Sequence, residues 1–338
     1  FTMLMFIFVY TYFNFQPFIL FTLNTFYIIL FMYKNEIYGS TLMIKNNCDN
    51  NINYTIQEND ITVKSIMHEK LNFSRRLSKN LELSGKIMLN GEITKLNKKV
   101  SKGDILSVEF KDEEDEYEAV NIPIDILYED SDMIIVNKPP YIVVHPTKSH
   151  QNNTIANGIS YYFKENNIQK KVRLVNRLDM NTSGIVIIAK NPYIHNELSN
   201  QMKSNMVEKY YYAVVEGLIE HDRGTINEPI ARLNPEDIIR VVDPSGKECV
   251  THYEVEKRYN DKTLVKLKLE TGRTHQIRVH MKHIGHPVLG DTLYGHETDL
   301  IKRQALHCYE MKFIHPSTGE KMDIKCPIPE DMGEAIKN

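Results

Sequence analysis

Asp179 stands in the segment of this chain whose residue types and spacing most directly suggest chemistry. Residues 175–184 read Val-Asn-Arg-Leu-Asp-Met-Asn-Thr-Ser-Gly, and an apolar run over 185–189 follows. This pattern predicts that Asp179 lies on a turn between two strands, where a carboxylate can enter a cleft. Arg177, two residues away, would favour the ionised form of that carboxylate and could orient it. A lone Asp in a turn, however, is more often structural than nucleophilic.

Two further polar segments favour a chemical role for Asp179 over a structural one. Residues 271–280 read Thr-Gly-Arg-Thr-His-Gln-Ile-Arg-Val-His, a dense polar run that is costly to bury unless its groups have partners. Residues 209–217 read Lys-Tyr-Tyr-Tyr-Ala-Val-Val-Glu-Gly. We interpret Tyr210 and Tyr212 in the second run as ordinary strand residues. Together, the three segments indicate that Asp179 is a candidate catalytic residue rather than a purely structural one.

The overall composition is that of a globular protein. The 338 residues carry 41 Lys+Arg against 44 Asp+Glu, and 42% are hydrophobic, which excludes wholesale disorder. Four Cys without a C-x-x-C pair exclude a disulfide scaffold and a cysteine-rich zinc module, and they fit a reducing cytoplasm. The only histidine cluster lacks metal-ligand spacing, so we expect no metal site. Its members are His275, His280, His283 and His286.

Charge is unevenly distributed and divides the chain. Residues 61–110 carry 10 Lys+Arg and 5 Asp+Glu, whereas residues 111–130 carry 1 and 9. This asymmetry predicts a small basic module over 60–110, an acidic linker over 111–121 and a second domain over 122–338.

The first 43 residues differ from the rest. No charged residue precedes Lys34, and 9 of the 13 Phe lie within residues 1–33. The apolar run over 18–32 is shorter than the roughly 20 residues that a membrane-spanning helix needs. We expect this leader to be a spurious upstream translation, with the true start near Met32 or Met43. A membrane anchor is the alternative.

Local signals predict the elements of the small module. Val63, Ile66 and Met67 have helical spacing, and Ser74 is a good N-cap for a second short helix. Asn90-Gly91 predicts a hairpin, and Gly103-Asp104 predicts a turn before a strand over 105–110. The module is therefore expected to be a small α/β unit.

Beyond the linker, β-branched runs predict strands over 133–136, 184–189, 211–215 and 264–269. A helix with Ile194, Leu198 and Met202 on one face lies among them. Because strands and helices do not alternate regularly, we expect an α+β domain with a mixed, largely antiparallel sheet.

The small module resembles the S-four type of RNA-binding module, named after a ribosomal protein. The matching residues are Ser74-Arg75, Gly85, Asn90-Gly91 and Gly103-Asp104. The resemblance implies that basic side chains hold RNA phosphates. The candidates are Arg75, Arg76, Lys79 and Lys86. The alternative is that these residues only form a solvated helix face.

The second domain resembles the RluA family of RNA pseudouridine synthases almost unbroken from Ile122 to the C terminus. Besides the three polar segments, the matching runs are Val136-Asn137-Lys138-Pro139, Val144-His145-Pro146, Gly285-His286-Pro287, Gly290-Asp291, Tyr294-Gly295 and Arg303-Gln304-Ala305-Leu306-His307. The resemblance implies a catalytic carboxylate at Asp179, a tyrosine that packs against the target uracil at Tyr211, and a basic partner of the carboxylate at Arg278. Arg177 matches the arginine that fills the gap left by the target base.

The implied reaction cuts the bond from the ribose anomeric carbon to uracil N1, turns the base, and joins C5 instead. Asp179 could attack C6 of the base or the anomeric carbon, and both routes stay open. Tyr211 would present a flat face to the flipped base and a phenol near C5. Nothing is oxidised and no group is transferred, so neither a cofactor nor a metal is expected. The expected substrate is structured RNA, with large-subunit ribosomal RNA first.

Two positions depart from the family pattern. Asn176 replaces a His, and we expect it to form hydrogen bonds or to contact RNA. Tyr141 stands where a Gly is common and predicts a different local turn, because side chains disfavour a positive φ. The rival hypotheses are a non-catalytic RNA-binding or ribosome-assembly protein with the same fold, and a membrane-tethered version of the enzyme.

Overall fold

The fold is described from a computed structural model that covers residues 44–45, 51–110, 115–147, 149–234 and 236–337. The predicted leader over 1–43 and residues 111–114 of the acidic linker lie outside the described residues. Within the described ranges, no helix is both long and apolar enough to cross a membrane.

The small module is built around a five-stranded antiparallel sheet with strand order β1-β2-β7-β4-β5. A short pair, β3 with β6, and two helical segments complete it. The sheet includes β2, which precedes residue 60, where the sequence analysis begins the module. The bounds are β1 (Ile44–Lys45), β2 (Asn51–Thr55), β3 (Ile61–Thr62), α1 (Val63–Ser65, continuing as a π-helical turn over Ile66–Lys70), α2 (Arg75–Leu83), β4 (Ile87–Leu89), β5 (Glu92–Ile93), β6 (Lys99–Val100) and β7 (Ile105–Glu109).

The predicted local signals of the module are confirmed. The Ser74 hydroxyl accepts the Leu77 N–H at 3.2 Å and begins α2. Asn90 and Gly91 both have a positive φ, 53° and 87°, as a tight hairpin requires. The Asn90 amide also donates to Asp104 at 2.9 Å, so the hairpin is fastened to the Gly103-Asp104 turn.

The second domain is an α+β unit around one ten-stranded sheet, as predicted. Its main strand order is β13-β16-β17-β12-β18-β11-β9-β8, with β10 on β11 and β19 on β18. Of the strand pairs in the described chain, only β11 and β18 run parallel. The bounds are β8 (Asp125–Glu129), β9 (Met133–Lys138), α3 (Ile155–Glu165), β10 (Arg173–Leu174), β11 (Ser183–Ala189), α4 (Pro192–Lys203), β12 (Glu208–Glu216), β13 (Arg223–Asn227), β14 (Ile230–Arg232), β15 (Arg240–Val242), β16 (Val250–Arg258), β17 (Lys262–Leu269), α5 (Gln276–His283), β18 (Leu306–Ile314), β19 (Lys321–Lys325) and α6 (Glu330–Lys337).

Helices cover both faces of the sheet at β9 and β11, which explains their continuous apolar sequences. Val186 and Ile188 belong to the cluster that contains Ile159 of α3. Ile187, on the opposite face, belongs to the cluster that contains Leu198 of α4. The predicted amphipathic helix is therefore confirmed as α4.

The small module packs directly on α4. The Phe73 ring stacks on Tyr193 with centroids 5.1 Å apart, and Asn196 donates to the Asn72 carbonyl at 2.9 Å. Asn72 also donates to Glu197 at 3.3 Å, and burial raises the pKa of Glu197 to about 7. The two units therefore share one buried interface.

Gly184 allows the two parallel strands to meet. Its φ is +120°, and a Cβ at this position would lie 2.2 Å from the Cys308 carbonyl oxygen of β18. Any side chain would push β11 away from β18. Because the Asp179 turn leads directly into β11, the close approach of β11 to β18 also positions that turn relative to the sheet.

We predict that Gly184→Ala lowers the free energy of unfolding by about 3 kcal/mol or more, through steric overlap and strain at a positive φ. Urea denaturation measures this. The matched control is Gly333→Ala in α6, where a Cβ meets nothing within 4 Å, and we expect it to be neutral or stabilising by up to about 1 kcal/mol. Equal stability of the two variants would contradict the prediction.

Candidate active site

Asp179 lies on a turn between β10 and β11, as predicted. The Thr182 N–H donates to the Asp179 carbonyl at 3.0 Å and closes the turn. The Asp179 side chain is 29% exposed and lines a cleft of about 680 Å³. The carboxylate is thus reachable from solvent while its backbone is held.

The cleft is strongly electropositive. Among the described residues that line it, five carry a permanent positive charge, and Asp179 is the only acid. The five are Arg177, Lys203, Lys209, Arg273 and Arg278. Such a cleft attracts a polyanion.

Arg278 of α5 is shared between two carboxylates. Its Nε and Nη2 donate to Asp291 at 2.6 and 2.7 Å, and its Nη1 donates to Asp179 at 3.3 Å. Burial opposes the charged guanidinium, but hydrogen bonds and the two carboxylate charges outweigh it and raise the pKa of Arg278. Gly290-Asp291 is one of the runs that match the family, but the sequence alone did not indicate that Asp291 binds Arg278 and fixes its direction.

His275 is a second group that faces Asp179. It precedes α5 with a φ of 58°, and its Nε2 lies 3.8 Å from Asp179 Oδ2. Its Nδ1 lies 2.8 Å from the Tyr294 hydroxyl, which accepts the Arg240 N–H at 2.9 Å. When the Tyr294 hydroxyl donates to Nδ1, the neutral His275 carries its proton on Nε2, the nitrogen that faces the carboxylate. Burial lowers the pKa of His275, which favours this neutral form.

Tyr211 of β12 lines the same cleft and is only 7% exposed. Across the sheet it is paired with Cys308, which is in turn paired with Gly184, so one row of three strands relates Tyr211 to the Asp179 turn. Burial raises the pKa of Tyr211 well above its usual value, so the phenol keeps its proton at neutral pH. The ring is therefore better suited to packing than the oxygen is to accepting a proton.

Lys138 holds the Asp179 turn through hydrogen bonds to backbone carbonyls. Its buried ammonium donates to the carbonyls of Pro139, Ile142 and Met180 at 2.8, 2.8 and 2.9 Å. Burial, with a smaller contribution from the nearby Arg303, lowers the pKa of Lys138 to about 7. These bonds join the 139–142 turn to the residue that follows Asp179.

The prediction that Tyr141 changes this local turn is wrong. Tyr141 adopts a positive φ of 66° and leaves its side chain 54% exposed. The bonds from Lys138 to the carbonyls on either side of Tyr141 hold the turn in place, so the residue accepts the backbone strain.

Asn176 forms hydrogen bonds, one of the two roles expected for it. Its side chain accepts the Ile187 N–H at 2.8 Å and donates to the Ile185 carbonyl at 3.0 Å. The amide thereby satisfies two backbone groups of β11 and anchors the segment that leads to Asp179.

The expectation that Arg177 orients Asp179 is wrong. Arg177 is exposed in the cleft and has no hydrogen bond or ion pair with any residue that the structure describes. Its position does contribute to the environment of His145, whose pKa is lowered first by burial and then by the Arg177 charge. The carboxylate is instead contacted by Arg278, the residue that the family resemblance names as its basic partner.

The basic residues of the module fall into two groups. Arg75 and Arg76 are exposed on the first turn of α2 and form no ion pair within the described residues. Lys79 pairs with Glu82 at 2.7 Å, and Lys86 pairs with Glu109 at 2.5 Å. The two arginines thus have their charge available for a partner.

Two of the four histidines considered as metal ligands bind backbone instead. His280 Nε2 contacts the Glu228 carbonyl, and His286 Nδ1 contacts the Glu216 carbonyl, both at 2.9 Å. Within the described ranges, no three or more His, Cys, Asp or Glu residues are arranged to hold a metal ion.

We predict that Asp291→Asn lowers the free energy of unfolding by about 3 kcal/mol, because it leaves the buried Arg278 charge without its main partner. Chemical denaturation measures this. The matched control is Asp299→Asn, which breaks an exposed ion pair with Lys302 and should leave the stability almost unchanged. If both variants lose equally little, Asp291 does not support Arg278.

Comparisons with known proteins agree with this geometry. Residues 132–283 match the RNA pseudouridylate synthase family, and residues 51–106 match the RluD ribosomal pseudouridine synthase N-terminal domain. Among solved structures, human RNA pseudouridylate synthase domain containing 1 is similar with a TM-score of 0.52 and 27% identity, over 62% of this chain and 85% of that one.

Curated relatives are similar over most of their length. The RNA pseudouridine synthase YjbO of Bacillus subtilis is 43% identical over 281 residues, which are 82% of this chain and 99% of that protein. Ribosomal large subunit pseudouridine synthase D of Vibrio cholerae is 38% identical over 278 residues, which are 78% of this chain and 86% of that protein. The chain therefore belongs to the RluA/RluD-type family of RNA pseudouridine synthases.

Proposed function

We propose that Asp179 is the catalytic carboxylate of this synthase and that large-subunit ribosomal RNA is its substrate. The observation that carries the first part is the position of Asp179 as the single acid among the described residues of an electropositive cleft, faced by Arg278 and His275. The second part rests on the similarity to ribosomal large subunit pseudouridine synthase D.

The reaction breaks the bond between C1′ of the ribose and N1 of uracil, rotates the base, and forms a bond from C1′ to C5. The C5 proton then leaves and N1 gains a proton, so the product is an isomer of uridine. Asp179 serves as a nucleophile towards C6 or C1′, and either role requires the ionised form. Arg278 donates to the Asp179 carboxylate, and its bonds to Asp291 hold the guanidinium in position while the substrate binds. The rearrangement is internal to one nucleotide, so the proposed chemistry uses no cofactor.

We assign to Tyr211 a packing role against the flipped uracil. The tyrosine ring lies in the wall of the cleft that contains Asp179. As a base at C5, its oxygen would first have to lose a proton that the buried surroundings retain. Stacking on a flat side chain offsets part of the free energy of taking the base out of its helix.

Arg177 is suited to the space that the flipped base leaves. It is exposed, it lines the cleft, and it precedes Asp179 by two residues. A guanidinium that no described residue binds is free to stack on neighbouring bases and to contact phosphates. The rival function, RNA binding without catalysis, gives no reason to hold a buried guanidinium between Asp291 and an accessible carboxylate.

We predict that Asp179→Asn abolishes pseudouridine formation, with a loss of at least about 10³-fold, while RNA affinity stays within a few-fold. The substrate is an unmodified transcript of large-subunit ribosomal RNA, and carbodiimide mapping locates the product. Asp261→Asn, an exposed acid outside the cleft, is the control and should keep full activity. Normal turnover by Asp179→Asn would refute the catalytic assignment. A transcript that the wild-type protein leaves unmodified would refute the substrate.

We also propose that Arg75 and Arg76 bind RNA phosphates through the small module. The double variant Arg75→Gln/Arg76→Gln should bind the same transcript more weakly and reduce the slope of log K against log salt by about 1 to 2. Filter binding over a range of salt concentrations measures this. The control, Lys164→Gln/Lys257→Gln, makes the same charge change at exposed sites outside the cleft. Equal slopes for both variants would contradict the proposed contact.

A further inference from the structure

Lys209 is a buried cation in the cleft for which the proposed chemistry has no use. It lies on β12 two residues before Tyr211, and alternation along the strand places both side chains on the same face of the sheet, about 7 Å apart along the chain. Lys209 is 8% exposed and lines the cleft that contains Asp179.

The Lys209 ammonium has no hydrogen bond or ion pair with any residue in the described ranges. Its partners across the sheet are the apolar Leu269 and Met311. Its Nζ borders the backbone of Gly272, where a Cβ would lie 3.7 Å away. Lys268 of the neighbouring strand β17, by contrast, pairs with Glu208.

A lysine that is more than nine-tenths buried and has no counter-charge is unfavourable in the free protein. Burial accordingly lowers the pKa of Lys209. The fold offers no nearby acid to offset this, because Asp179 is the only acid among the described cleft residues and already contacts Arg278. Arg273, next to Gly272, adds a further positive charge to the cleft wall. An anion from outside the protein would satisfy this ammonium, whereas a neutral carbonyl group would leave its charge unbalanced.

We propose that Lys209 forms a phosphate-binding subsite for the RNA strand, and that it holds one backbone phosphate beside the uridine whose base packs on Tyr211. This inference rests on the proposed function of the cleft. Its consequence is that one buried, charge-assisted contact sets the position of the strand relative to Asp179. Lys209 is then a positioning residue rather than a participant in bond making.

The first test compares Lys209→Met and Lys209→Arg with the wild-type protein on a ribosomal RNA transcript that the wild type modifies. Lys209→Met should weaken RNA binding roughly 10- to 100-fold, the range expected for one hydrogen bond to a charged group. The salt slope should fall by about 1, and KM should rise by more than kcat falls. Lys209→Arg keeps the charge and should recover most of the affinity.

Thermal denaturation separates this role from a structural one. Because Lys209 has no ion pair or hydrogen bond with the residues that the structure describes, Lys209→Met removes a largely buried charge without breaking such a contact and should melt at or above the wild-type temperature. Lys203→Met is the matched control, since Lys203 lines the same cleft but is exposed, and its loss should weaken binding less. A Lys209→Met variant that is less stable and binds RNA with an unchanged salt slope would overturn the proposal.

The second test identifies the phosphate. Short RNAs that contain the mapped uridine are synthesised with one neutral methylphosphonate at successive positions around it. At one position the substitution should weaken binding to the wild-type protein and leave binding to Lys209→Met unchanged. If every position affects both proteins equally, Lys209 holds no phosphate. Pseudouridine formation by the wild type on the unsubstituted RNA is scored separately, so a failure of the proposed function is distinguishable from a failure of this inference.

Discussion

The active site depends on one guanidinium that two carboxylates share. Two nitrogens of Arg278 donate hydrogen bonds to the buried Asp291, and a third donates to Asp179. An arginine bound in this bidentate manner has little freedom, so its remaining donor has a fixed direction. Asp291 in turn accepts the N–H groups of Leu293 and Tyr294, which joins the pair to the Tyr294 hydroxyl and to His275. The surroundings of Asp179 are therefore organised before any RNA arrives.

Close strand packing and hydrogen bonds from buried cations also hold the backbone of the Asp179 turn. Gly184 lets β11 approach β18, and the same row of the sheet continues to Tyr211 on β12. From below, Lys138 binds the Met180 carbonyl, and Arg303 donates to the Asn181 carbonyl at 3.1 Å. Both are buried cations that bind backbone oxygens of the Asp179 turn. Such a scaffold places a loop residue with the accuracy usually found in regular elements.

Electrostatics link this site to RNA at two scales. In the cleft, cations outnumber the single acid, and one of them, Lys209, is buried without a partner among the described residues. On the small module, Arg75 and Arg76 are exposed and unpaired within the described ranges. Lys79 and Lys86, in contrast, each form an ion pair with a glutamate. Because Phe73 packs the module against α4, these two positive surfaces belong to one folded unit.

The sequence by itself determined the features that local patterns encode. The Asp179 turn, the Asn90-Gly91 hairpin, the Ser74 cap and the strand that carries Tyr211 follow from backbone preferences and alternation within a few residues. The pairing of Arg278 with Asp179 was anticipated only through family resemblance. Tertiary structure alone decided that Asp291 fixes the direction of Arg278, that Arg177 does not contact Asp179, that Tyr141 accepts a positive φ, and that Lys209 lacks a partner among the described residues. Those outcomes depend on contacts between residues distant in the chain, such as the 99 positions that separate Asp179 from Arg278, and no local pattern records them.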